Sequence, residues 1–138
     1  MSNKQFLEMV TKYYKEDFSD FPKDVYEYIL GEYQDFHSYD FSDNIITIVG
    51  NSNHKLKIYF ERDLHQSYKD IIDNSSRYFY NVNIRFISIY PDLFNNGQDV
   101  REWVRYNDSF KIDSYNIGNY IKFQEELSSK LHMLKNME

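Results

Sequence analysis

The chain has no cysteine, two prolines and four glycines in 138 residues. Without cysteine there is no disulfide framework and no thiolate to act as nucleophile or metal ligand, which fits a reducing compartment. The glycines (Gly31, Gly50, Gly97, Gly118) are isolated, so no glycine-rich loop is available to cradle a phosphate. The Gly-x-Ser-x-Gly turn that exposes a nucleophilic serine is missing as well. No stretch approaches the roughly 18 uncharged apolar residues of a membrane span. The leading residues, MSNKQFLEMVTKYYKED, lack the apolar centre of a secretion signal. These absences together predict a soluble, cytoplasmic protein with no membrane contact.

What is present is aromatic and charged. The chain is 41% hydrophobic, 19% aromatic and 28% charged, a composition that favours a folded core over disorder. Its length suits one domain spanning residues 1–138, large enough to bury a core without a metal or a disulfide. Alanine is absent while Asn, Asp, Ile, Lys and Tyr are frequent, a bias associated with AT-rich bacterial and phage genomes.

Hydrophobic spacing predicts the elements. Phe6, Val10 and Tyr13 fall at helical intervals over about 3–15. Asp20 and Pro22 form a second helix start, with Val25, Tyr28, Ile29 and Glu32 on one face. Residues 34–43 lack a clear period and read as a loop. Asn44–Gly50 is β-branched and Lys55–Glu61 alternates, so these segments predict a hairpin around Asn51-Ser52-Asn53-His54. Asp63 reads as the cap of a middle helix carrying Leu64, Tyr68, Ile71 and Ile72. Arg77–Tyr90 reads as a long strand with Tyr78, Tyr80, Val82, Ile84 and Phe86 on one face. Residues 100–106 suit either a helix or a strand turning at Asn107-Asp108 into Phe110–Tyr115. Asn116 to about Lys135 is a final helix with Ile117, Tyr120, Ile121, Leu127, Leu131 and Leu134 on its stripe. The expected fold is α+β: a mostly antiparallel sheet of four to five strands, with two N-terminal helices, one middle helix and one C-terminal helix packed on it.

Catalytic and metal chemistry find little support. None of His37, His54, His65 and His132 stands three or four residues from another. Glu61-x-Asp63-x-His65 is the tightest metal-ligand spacing, but a helix cap at Asp63 breaks the shared face that ligation needs. Pro91-Asp92 ahead of Asp99-Val100-Arg101 resembles a two-metal nuclease pattern, yet no acid in the chain is followed two residues later by lysine. The expectation is therefore no catalytic residues, no metal and no cofactor. Arg77, Tyr78, Phe79, Tyr80 and Arg85 interleave basic and aromatic side chains as single-strand binders do. A half-buried strand explains them more simply, and the net charge of −6 opposes direct nucleic-acid contact.

That net charge is segregated. Residues 1–43 hold ten acids and four lysines, while the rest holds twelve of each sign. Between Tyr13 and Phe41 the acids alternate with tyrosine and phenylalanine. Rigid aromatics with carboxylates among them suit a basic protein partner, which the carboxylates steer into contact. The candidate partner-binding residues are Asp24, Tyr26, Glu27, Tyr33, Asp35, Tyr39 and Asp40. In character the chain resembles the small acidic inhibitors of bacterial conflict systems, such as the immunity proteins of contact-dependent or secreted toxins. That resemblance implies a non-enzymatic inhibitor that occludes the active site of a basic, nuclease-type toxin, as a monomer or weak homodimer. The alternatives are a phage inhibitor of a host defence nuclease and a hydrolase-type enzyme without a known motif.

Overall fold

The computed structural model describes residues 20–65, 77–91, 100–112 and 117–136. Their elements are α1 (Phe21–Glu32), β1 (Ser38–Ser42), β2 (Ile45–Val49), β3 (His54–His65), β4 (Arg77–Pro91), β5 (Val100–Ile112) and α2 (Ile117–Asn136). The five strands form one antiparallel sheet in sequence order, β1-β2-β3-β4-β5. The class is α+β, as expected. Two helices are described where four were expected. The helix predicted over 3–15 lies outside the described residues. The predicted start of the middle helix is strand: Asp63 and Leu64 pair with Phe79 and Tyr78 inside β3. The rest of that helix lies outside the described residues.

α1 begins as its sequence dictates, with Pro22 in the first turn, where the missing N–H costs no hydrogen bond. Asp20 holds the N-cap position but makes no side-chain cap hydrogen bond. Its backbone is already helical, at φ −87° and ψ −2°, whereas a capping side chain needs an extended backbone to reach back to the free amides. Tyr33 ends the helix, donating its N–H to Ile29 O at 2.9 Å from an extended conformation.

Two strand assignments correct the sequence reading. Residues 38–42, expected in a loop, form β1. Tyr39 and Phe41 face inward there, between exposed Ser38, Asp40 and Ser42. The β1–β2 turn is Asp43-Asn44, both at positive φ (52° and 59°), which is how a two-residue turn matches strand twist. Residues 100–112 are one continuous strand along β4, so Asn107-Asp108 is no turn. Asn83 on β4 holds that stretch in the ladder: its Nδ2 donates to Asn107 Oδ1, to Ser109 Oγ at 2.9 Å and to Asp108 O at 3.3 Å.

The core lies between the sheet and the two helices. Ile46, Ile48, Leu56, Ile58, Phe60, Val82, Ile84 and Phe86 are buried on the inner face. Val25 and Ile29 of α1 cover them, with Tyr120, Phe123, Leu127, Leu131 and Leu134 of α2. Ile121, expected on the α2 stripe, is instead 41% exposed, because Phe123 takes the inward position. Gly50 lets the β2–β3 turn meet α2: a Cβ there would stand 2.8 Å from Leu134 Cδ1.

Phe21 ties the layers together. Its ring centroid is 5.8 Å from Phe60, 5.7 Å from Tyr80, 5.9 Å from Tyr120 and 5.8 Å from Phe123. Removing a fully buried ring leaves a cavity as well as lost transfer energy. Phe21→Ala is expected to lower unfolding free energy by about 3–5 kcal/mol, read as a drop in the urea midpoint with the slope unchanged.

Candidate functional site

The described part of the acidic segment forms one helix and the adjoining edge strand of the sheet. Residues 20–43, comprising α1, the loop after it, β1 and the start of its turn, carry seven acids against Lys23 alone. Asp20, Glu27, Glu32, Asp35, Asp40 and Asp43 are exposed, and Asp24 is half-buried. Lys23 lies 3.9 Å from Glu27 across one helical turn. An exposed pair of this kind is worth a few tenths of a kcal/mol and is screened by salt.

Of the seven residues expected to bind a partner, Glu27, Asp35 and Asp40 are the exposed ones. Tyr26, Tyr33 and Tyr39 are partly buried against the core edge. Tyr26 packs on Phe41 of β1 at 5.3 Å between centroids, and Tyr33 stacks on Phe36 at 5.7 Å. The Tyr39 hydroxyl donates to Tyr33 O and accepts from the Phe36 N–H at 3.1 Å. Asn51 donates to Asp35 O at 2.7 Å. The tyrosines therefore hold the α1–β1 corner in one shape, and the carboxylates stand around it. A small cleft of about 100 Å³ opens beside them, lined by Glu32, Tyr33, Gln34, Asp35, Phe36 and Lys135.

The tyrosine hydroxyls register both the burial and the acidity of this corner. Burial and then the Asp40 carboxylate push the Tyr26 hydroxyl above its ordinary range. Burial and then Glu32 do the same to Tyr33. Tyr28, at the α1–α2 contact, is pushed up to about 12, mainly by burial, then by Tyr33 and Glu32, with a Ser128 hydrogen bond opposing.

The outer face of the sheet is different in character. Lys57 of β3 stands opposite Arg85 of β4. Arg85 lies 4.7 Å from the Tyr59 ring and donates from Nε to Asn83 Oδ1 at 2.7 Å. Lys111 sits 4.5 Å from the Phe79 ring. The basic-aromatic run on β4 is thus divided: Phe79 and Arg85 face outward, while Tyr80 is buried in the core. β3 does place Glu61, Asp63 and His65 at alternate strand positions. Even so, among the described residues no group of three His, Asp or Glu side chains is placed to hold a metal ion. Asp92 and Asp99 of the nuclease-like pattern lie outside the described residues.

The sequence leaves 100–106 open between helix and strand and breaks the chain at Asn107-Asp108, so it misses that β5 is one continuous edge strand, on which Trp103, Val104 and Tyr106 are exposed. Alternation is the usual signal for a strand, and a bulge at Arg105, the residue left over between the Ile87–Val104 and Phe86–Tyr106 pairs, erases it. No helix among the described residues is long and apolar enough to cross a membrane. Compared with known proteins, the chain matches no family, no curated protein and no solved structure.

Two measurements check this corner. Tyr39→Phe keeps the ring but strands Tyr33 O and the Phe36 N–H, so unfolding free energy should fall by about 1–2 kcal/mol. Tyr28 releases its proton near the ordinary value of 10.0 when unfolded and near 12 when folded. The folded state therefore binds more protons in that window, and stability falls as pH rises through it. Urea midpoints of Tyr28→Phe should decline less steeply with pH above about 10 than those of the natural chain.

Proposed function

We propose that this chain is a small protein-binding inhibitor of the immunity-protein kind, which uses its acidic α1–β1 corner to cover the active site of a basic partner. The partner would be a nuclease-type toxin in the cytoplasm. The observation that supports the reading is the charge of residues 20–43, seven acids to one lysine, on a corner with six exposed carboxylates. Carboxylates in such an array occupy positions that phosphates take on a nucleic-acid-binding enzyme. They also raise the rate of encounter with a basic surface at low salt.

Rigidity favours the same reading. Tyr33, Phe36, Tyr39 and Asn51 pin the loop between α1 and β1 through backbone and ring contacts. Ordering a loop on binding costs free energy, and a loop already ordered avoids that loss. A phage protein that blocks a host defence nuclease would use the same corner and differ only in its target.

The test is charge reversal at Glu27, Asp35 and Asp40. A basic protein recovered with the natural chain from lysate of the source organism should bind more weakly as salt rises. The combined Glu27→Lys, Asp35→Lys, Asp40→Lys variant, folded by circular dichroism, should lose about 100-fold or more in affinity for that protein. Unchanged affinity would place the partner on another face.

A further inference from the structure

Two strands end the sheet, and they are unlike. β1 is five residues long and carries Asp40 at its middle. β5 is 13 residues long, and residues 101–107 are all exposed. Trp103, the chain's one tryptophan, is 56% exposed, Tyr106 47% and Val104 42%. A short, charged edge resists further pairing. A long apolar edge presents a row of backbone donors and acceptors as a template for another strand. Among the described residues, no strand pairs with the outer side of β5.

The bulge in β5 decides what fits there. Phe86 pairs with Tyr106 and Ile87 with Val104, so Arg105 is the extra residue. Trp103 pairs with Ser88. In a regular strand, positions 103 and 106 would point to opposite faces. The extra residue brings both to the helix-covered face, where Phe86 and Tyr106 touch at 6.2 Å.

β5 is then complementary to itself. In an antiparallel pairing that sets Trp103 opposite Tyr106 of a second copy, Arg101 falls opposite Asp108 and Glu102 opposite Asn107. Each pair occurs twice about a two-fold axis, and the two bulges face each other with equal numbers of residues. Moving the register by one residue one way sets Arg105 against Arg105 and Glu102 against Asp108, and moving it the other way sets Arg101 opposite Asn107 and loses the opposite-charge pair. Aromatic and opposite-charge cross-strand pairs stabilise, and like charges directly opposite destabilise. Asp108 is 3.9 Å from Lys130, a long contact that leaves its carboxylate able to take a second cation.

We propose that a second copy of this chain pairs with β5 in this register, joining two sheets into one of ten strands. The two acidic corners then lie at opposite ends of the assembly, each free to take its own partner. The inference stands on the edge geometry and does not depend on what the corners bind.

Sedimentation equilibrium of the full chain over a dilution series tests it. The expected mass at high concentration is twice the 16.9 kDa chain, falling toward one chain on dilution. Trp103→Ala should weaken the dimer about 30-fold, the scale of a central aromatic anchor. Arg101→Asp should also weaken it, and Arg101→Asp with Asp108→Arg should restore it, because the swapped charges still face each other across the axis. Circular dichroism controls for folding of each variant. A mass of one chain at every concentration would overturn the proposal. So would a dimer that Trp103→Ala and Arg101→Asp both leave intact.

Discussion

Phe21 stands where both helices meet the sheet. Its ring touches Phe60 and Tyr80 of the strands and Tyr120 and Phe123 of α2. The geometry of α1 follows from that seat, since Val25 and Ile29 continue the same face one and two turns later. With α1 so placed, Tyr33 arrives beside Phe36, and the chain turns back into β1 with the Tyr39 hydroxyl bonded to Tyr33 O. The acidic corner is the outer surface of this arrangement. Its shape is inherited from the aromatic core beneath, and its charge comes from residues that the core does not use.

One consequence is a division of labour across the sheet. The helices cover one face and hold the apolar side chains there. The other face carries Lys57, Arg85 and Lys111 among amides and rings, with Arg85 over Tyr59 and Lys111 over Phe79. The two edges diverge as well: β1 is short and acidic, and β5 is long and aromatic. A molecule so arranged presents two unlike surfaces, one dominated by charge and the other by an unpaired strand with exposed aromatic side chains.

Legibility in the sequence followed burial contrast. β2, β3 and β4 were readable because residues such as Leu56, Ile58 and Phe60 alternate with Lys55, Lys57 and Tyr59. α2 was readable because Tyr120, Leu127, Leu131 and Leu134 recur on one face. β1 was not, because at an edge Ser38, Asp40 and Ser42 outweigh the two inward aromatics. β5 was readable only in part: a strand over 100–106 stood beside a helix, because the extra residue at Arg105 breaks alternation, and Asn107-Asp108 imitates a turn. Asp63 read as a helix cap because its carboxylate suits that role. Pairing with Phe79 across the β3–β4 ladder overrode the local preference.

The sequence alone determined the fold class, the absence of thiolate chemistry and the concentration of acid near one end, since composition and periodicity act residue by residue. Tertiary structure alone decided that Tyr26, Tyr33 and Tyr39 brace the acidic corner, and that Trp103 and Tyr106 share one face of the sheet. Those outcomes depend on strand register, a cooperative property of neighbouring strands. A shift of one residue turns every side chain to the other face, so where a bulge or a polar edge blurs the alternation only the locked neighbours fix the choice.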